Sequence, residues 1–465
     1  MVVERGLTFA ANLLAARIAG AHTYGAYSLA MTTANNIANY AGAGIGNAAN
    51  RFSGEYPVGS AGYPRFLRSV TIVSLVSASV AVVALWLGAD PLARLLLRNP
   101  GLQPMLRIAA FSAGAIILLE CMKGLLIGQR RFAALLTLAG LTGGALLVLM
   151  PLASRVGAQR MVASQSLALL AAVMVCAAAS RWLGFAPTGS SGGSSAGPSV
   201  LTVARFNVVQ FAGVIGLNAA GWLVASMVGR ADPSLAQMGY FAVANQLRNI
   251  VAMAPGLIPQ SSFALLTDRG GDQYGGPRRV LALTTWTACA LSLAIGGAAI
   301  TAIPLLLRTM YGSTYSGAEH AAALAVSTAL LHMTAAPAST RLNIVSLRAT
   351  TVINAVWAAI VIGAGLSLAA KLDASRAAAL FLAAHLFSAI AVLVCLRRAS
   401  ALAGGVWECT AIGIAASLSF GALALTGNYA WALAVTIALG TLLLNVARRH
   451  GIDDFIQHVA RTRRK

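Results

Sequence analysis

Met238-Gly-Tyr-Phe-Ala-Val-Ala-Asn-Gln-Leu-Arg-Asn-Ile-Val-Ala-Met-Ala-Pro-Gly-Leu-Ile-Pro-Gln-Ser-Ser-Phe-Ala-Leu-Leu266 carries a single charged side chain, Arg248, beside Asn245, Gln246 and Asn249. The stretch is long enough to cross a bilayer, which takes ~20 apolar residues. At mid-depth an arginine is costly unless it meets a partner or a wet cavity. The segment therefore reads as a membrane span with a cationic, amide-rich patch suited to an anionic, sugar-like cargo.

The rest of the chain repeats this pattern. Of its 465 residues, 58% are hydrophobic and 10% charged, against ~25% charged in soluble domains. The net charge of +21 does not mark a nucleic-acid binder. The arginines are spread through short loops between apolar runs, where they face anionic membrane lipids. Cys121, Cys176, Cys289, Cys395 and Cys409 lie in or beside apolar segments without close spacing, which supports neither a disulfide framework nor a metal site.

Fourteen helices are expected, near 3–20, 24–48, 66–88, 106–127, 132–153, 160–182, 202–228, 236–266, 280–305, 319–340, 349–370, 376–396, 405–426 and 429–447. Helices 2, 8 and 10 are the most polar. With the N-terminus in the cytoplasm, 22 Lys and Arg fall on the inner side and 10 on the outer. The positive-inside bias then places both termini in the cytoplasm.

Residues 184–199 are Gly/Ser-rich and read as a linker between bundles. The bundles repeat. Leu95-Leu96-Leu97-Arg98 returns as Leu305-Leu306-Leu307-Arg308; Gly25, Tyr27, Ala30 and Asn35 match Gly239, Phe241, Ala244 and Asn249; Leu126-Ile127-Gly128-Gln129-Arg130 precedes Ile344-Val345-Ser346-Leu347-Arg348 by a similar offset. A repeat of six helices preserves orientation and implies a pseudo-twofold axis along the membrane normal. The expected organisation is all-α: a six-helix lobe over 1–183, the linker 184–199, a six-helix lobe over 200–398, two further helices over 399–447, and a basic cytoplasmic tail, 448–465.

The second helix of each bundle carries the polar stripe: Asn35, Asn36 and Asn39 in the first, and Asn245, Gln246, Arg248 and Asn249 in the second. Amides at this depth need partners or water. They either line a hydrated cleft or glue helices together. A guanidinium can grip phosphate or pyrophosphate through two parallel hydrogen bonds. The bland alternative for Arg248 is an ion pair with Glu4, Glu120 or Glu408. Arg17 and Arg205 either extend the cationic lining or snorkel to the interface. Pro255 and Pro259 form a hinge or a fixed kink. Gly42, Gly44 and Gly46 resemble a dinucleotide fingerprint but follow no strand, so close helix packing is the better reading. His332 and His385, each within a helix, either relay protons or pack.

The segments Ala21-His22-Thr23-Tyr24-Gly25-Ala26-Tyr27-Ser28-Leu29-Ala30 and Ala236-Gln237-Met238-Gly239-Tyr240-Phe241-Ala242-Val243-Ala244 resemble a segment of the polysaccharide transporters, the O-antigen flippase (Wzx-like) branch of the multidrug/oligosaccharidyl-lipid/polysaccharide exporter superfamily. Met238 departs from the pattern where the first copy has Tyr24. Further similar stretches are Gly124 to Phe132 and Met310-Tyr311-Gly312-Ser313-Thr314-Tyr315. The resemblance covers about residues 1–400. It implies a cavity lined by helices 1, 2, 7 and 8 and a location in the bacterial cytoplasmic membrane. The implied activity is movement of a polyprenyl-pyrophosphate-linked oligosaccharide from the inner to the outer leaflet, usually coupled to a proton or sodium gradient. No other cofactor is expected. The expected partners are the lipid-linked oligosaccharide, anionic lipids and other polysaccharide assembly proteins, with the chain itself a monomer. Two other readings stay open. A multidrug exporter of the same superfamily would want acids in the cleft. A membrane glycan polymerase or ligase would want a sizeable outer loop, and the longest here is residues 89–105.

Overall fold

A computed structural model describes residues 2–179, 197–267 and 276–451; most of the Gly/Ser-rich segment and of the basic tail lies outside them. Every regular element among the described residues is helical. Ten of these helical stretches are long and apolar enough to cross a membrane. The other expected spans are also helical.

The chain divides into two compact units, Met1–Gly239 and Tyr240–Lys465. The first holds α1 (Val2–Ala41), α2 (Ile45–Glu55), α3 (Tyr63–Pro91), α4 (Gln103–Gly128), α5 (Phe132–Ser154), α6 (Ala158–Ala178) and α7 (Val200–Ala231). Here α4 is central, packed against α1, α2, α3 and α6. The second holds most of α8 (Ala236–Met253), then α9 (Leu257–Thr267), α10 (Gly276–Leu306), α11 (Glu319–Val345), α12 (Leu347–Ser367), α13 (Ala374–Arg398), α14 (Val406–Thr426) and α15 (Trp431–Arg449). Here α11 is central, with α10, α12, α13 and α14 around it.

The repeat seen in sequence recurs in local geometry. After α3 the chain makes a π turn, Leu92–Leu96, and a 3₁₀ turn, Pro100–Leu102, before α4. After α10 it makes a π turn, Leu307–Tyr311, and a 3₁₀ turn, Ser313–Ala318, before α11. Gly312, at φ 93°, joins the second pair of turns, a conformation that glycine reaches without a Cβ penalty.

Two expected helices differ from the sequence reading in the same way. Helix 2 is not continuous: α1 bends at Gly20 (φ 73°), runs to Ala41, and after a break at 42–44 the chain resumes as α2. Helix 8 breaks at 254–256, between α8 and α9. Pro255 sits at that break, where its missing N–H and its ring end the first helix. Pro259 is instead the third residue of α9, where a helix has no intrahelical use for an N–H. The expected pair of hinge prolines is thus one helix-breaking proline and one tolerated in a first turn.

Polar side chains set several helix starts. Ser199, Ser346 and Asp373 accept hydrogen bonds from Thr202, Ala349 and Arg376 backbone N–H groups, satisfying donors that the first turn leaves free. Asp232 precedes α8 and accepts from the Ser234 and Gln237 amides at 3.0 and 2.8 Å. Burial pushes its carboxyl up, but these amides outweigh burial and hold it below the usual carboxylate range.

The Lys123 ammonium, in α4, lies 2.6 Å from Glu4 Oε1 and 3.1 Å from Glu120 Oε1. Lys123 and Glu4 are about four-fifths buried. Removing one charge strands the other in an apolar bundle. Lys123→Ala is expected to lower stability by up to about 3 kcal/mol. The double change Lys123→Met with Glu4→Gln is expected to cost less than Lys123→Ala alone. Thermal unfolding in detergent micelles checks the ordering.

Candidate functional site

The open face of α8 is the polar one. Ala244, Leu247 and Val251 are buried, at spacings of three and four, and form its packed stripe. Half-buried Asn245 and exposed Asn249, four residues apart, form the opposite stripe, and half-buried Arg248 lies at the edge between the two. Asn245 Nδ2 donates back to the Phe241 carbonyl at 3.0 Å. Gln246 does not join this stripe. Its Oε1 accepts from the Tyr311 hydroxyl at 3.0 Å, so it ties α8 to the π turn after α10.

Among the described residues, no hydrogen bond or carboxylate holds Arg248. The three acids that could have neutralised it are engaged elsewhere: Glu4 and Glu120 with Lys123, and Glu408 with His450 at 3.2 Å. What does lie within electrostatic range of Arg248 is a pair of histidines.

Those two histidines read as unrelated in the sequence, and the fold brings them together. His332 on α11 and His385 on α13 meet edge to face, with ring centroids 5.0 Å apart. His385 Nδ1 lies 2.8 Å from the Phe381 carbonyl. Trp357 of α12 stands edge-on to His385 at 5.4 Å, and Phe381 stacks on both Trp357 and Phe241. His332 is the first exposed residue of α11 after an unbroken buried run, 321–331. Beyond it the open positions Ala336, Ser339, Thr340 and Asn343 continue the same face at helical spacing. This face is small and polar. The lipid-type faces look different: α15, for example, exposes Leu433, Ile437 and Leu444.

In the first unit, Asn35 and Asn39 are exposed four residues apart and form the open stripe of the second arm of α1. Asn36 is buried and hydrogen-bonds Tyr40, so it belongs to packing. Thr33, also buried, accepts from Trp222 Nε1 of α7 at 3.1 Å. Arg17 and Arg205 are both exposed, on the first arm of α1 and near the start of α7.

The residues that carry the family resemblance are structural. Tyr24 and Tyr27 pack with tilted rings, centroids 5.5 Å apart, and their hydroxyls reach Asn12 Oδ1 at 3.4 and 3.3 Å; Tyr27 also bonds Gln165. Tyr311 and Tyr315 are fully buried and pack at 5.7 Å. Gly124 and Gly128 lie where an added Cβ would meet the Gly46 and Asn50 carbonyls at 2.2 and 2.5 Å, so α4 crosses α2 backbone to backbone. Asn12 and Gln165 carry no sequence signal of their own and emerge only from the packing.

The chain is thus a multi-pass helical membrane protein, and one of its two units carries an arginine with no carboxylate partner among the described residues. Its fold is shared with transporters. Over 97% of this chain and 98% of the other, it superposes on "Lipid II flippase MurJ, inward closed conformation", with a TM-score of 0.69 and 13% identity. A multidrug resistance MATE family transporter of the MOP superfamily matches in an inward-facing conformation (TM-score 0.67, 15% identity, 85% of this chain and 95% of that one). An outward-facing MATE conformation matches with a TM-score of 0.52 at 14% identity, covering 86% and 95%. No protein-family model matches the chain, and a search of curated proteins finds no significant match.

Proposed function

We propose that this protein is a flippase that moves a polyprenyl-pyrophosphate-linked oligosaccharide from the inner to the outer leaflet by alternating access. The observation that carries the reading is Arg248: a guanidinium at the edge of the polar stripe of a membrane-embedded helix, without a carboxylate partner among the described residues. Its charge and its fork of donors match a diphosphate. Asn245 and Asn249 beside it supply hydrogen-bonding groups for sugar hydroxyls, and Asn35 and Asn39 offer the same chemistry on the corresponding helix of the first unit. Arg17 and Arg205 contribute positive potential near helix ends. The fold supports the reading, since one protein that shares it over nearly its whole length is named a lipid II flippase. A drug-cation exporter is less well supported, because Glu4 and Glu120 are paired with Lys123 and Glu408 with His450. Between α3 and α4 the chain holds only short turns, which offers little for a polymerase or ligase.

Leaflet-resolved labelling of lipid-linked glycan tests the proposal. Cells lacking this protein and any paralogue are expected to hold the glycan in the inner leaflet, and the wild-type gene is expected to restore its outward movement. Unchanged appearance in the outer leaflet without the protein rejects the flippase reading.

A further inference from the structure

Four membrane spans of the second unit end close together around two adjoining cavities. One, of about 280 Å³, is lined by Arg278 and Arg279 at the start of α10, by Leu402 to Gly404, and by His450 and Gly451 after α15. The other, of about 390 Å³, is lined by Arg278, Arg397, Ser400, Leu402 and Trp407. They share Arg278 and Leu402. Arg278 donates to the Ser400 carbonyl and so braces the 399–405 turn. α14 starts here with Gly405 as its cap and no side-chain capping bond, so its first-turn N–H groups also face this end. Among the described residues, the acid beside these cavities, Glu408, is held by His450 at 3.2 Å.

The chemistry is that of a phosphate site, and its setting identifies the source of the phosphate. α13 exposes Ile390 and Val394, one helical turn apart, and the next turn along that stripe is Arg397 and Arg398. Trp407 is 48% exposed beside the same cavity, as interfacial tryptophans are at the head-group level. An apolar, lipid-type stripe that runs directly into a basic, tryptophan-flanked cavity fits a molecule with an acyl chain below its phosphate. A soluble phosphate would have no use for the stripe.

We propose that this end of the second unit is a binding site for an anionic glycerophospholipid, with the phosphate held by Arg278 and Arg397 and an acyl chain laid along Ile390 and Val394. The site is separate from the stripe that Arg248 borders.

The test is native mass spectrometry of the full-length protein, with phosphatidylglycerol and phosphatidylcholine of matched chains as probes. Wild type is expected to retain the anionic lipid preferentially. Each arginine near a membrane surface contributes about 1 kcal/mol toward anionic lipid, so Arg397→Gln is expected to reduce the preference about fivefold. Arg397→Lys is expected to keep most of it, and Arg68→Gln in the first unit to leave it unchanged. Because Arg278 also braces the turn, and the Arg397 side chain makes no such bond among the described residues, Arg397→Gln is the decisive variant. An unchanged preference in Arg397→Gln overturns the proposal. So does complete displacement of the lipid by millimolar inorganic phosphate, which would mark a site for a soluble anion.

Discussion

Replacing Arg248 by alanine is expected to stop outward movement of lipid-linked glycan while leaving the protein folded. The separation of the two effects is what gives the prediction its force. A structural arginine inside a membrane protein is bound to something, and truncating it strands its partner. Arg248 has no hydrogen bond or carboxylate among the described residues, so its loss removes a positive charge without leaving an orphan. If its partner is the diphosphate of the cargo, truncation leaves that anion unpaired at depth. Losing one side of a buried charge pair costs about 2–4 kcal/mol, a fall of about 30-fold or more in transport at limiting cargo. Arg248→Lys keeps the charge but loses the two-pronged geometry, and an intermediate rate is expected. Asn245→Ala and Asn249→Ala remove neutral hydrogen bonds, so each is expected to cost only a few-fold. Leaflet-resolved glycan labelling reads transport, and thermal unfolding in micelles reads folding. A lowered unfolding midpoint in Arg248→Ala with normal export would reverse the assignment and make the residue structural.

The polar stripes were legible because hydrocarbon tolerates few polar groups, so each one stands out against its apolar neighbours. Periodicity alone could not say which member of a stripe faces outward. Asn35, Asn36 and Asn39 read as equivalents, yet the fold buries Asn36 against Tyr40 and leaves the other two open. Gln246 read with Arg248 and turned out to brace Tyr311. The contact of His332 with His385 was invisible, since it depends on how α11 and α13 cross, which no local pattern encodes. The helix breaks at 42–44 and 254–256 had a partial signal in Gly42, Gly44 and Pro255. Apolar composition continues across both breaks, so a length-based reading ran straight through. The repeat was legible as scattered matches; the π turns after α3 and α10 start at Leu92 and Leu307, close to the spacing of Gly25 and Gly239, and give that match a geometric meaning, whereas Leu95 to Arg98 and Leu305 to Arg308 sit at different places in the two turns.

That meaning is sharpest at Gly25 and Gly239, which occupy the same place in the two repeated segments. A Cβ added to Gly25 would lie 2.0 Å from the Leu235 carbonyl oxygen and 2.8 Å from the Gly239 amide nitrogen. A Cβ added to Gly239 would lie 2.1 Å from the Ala21 carbonyl oxygen. Leu235 precedes Gly239 by four residues, as Ala21 precedes Gly25. Each glycine thus leaves room for the carbonyl one turn before the other, and the crossing is reciprocal. The obstructing atoms are backbone and cannot swing aside. Leu235 is further fixed in the left-handed region, at φ 61°, which is uncommon for a residue with a side chain. Small-residue crossings of this kind are a main source of helix association where lipid is as apolar as the side chains. Gly25→Val is therefore expected to destabilise by at least about 3 kcal/mol, at the upper end of overpacking effects. The visible result would be loss of monodisperse protein on size exclusion together with loss of transport. Gly140→Ala in α5, where nothing lies within 4 Å of the added Cβ, serves as the matched control and is expected to behave as wild type. A Gly25→Val protein that purifies with an unchanged unfolding midpoint would mean that the two segments do not cross backbone to backbone.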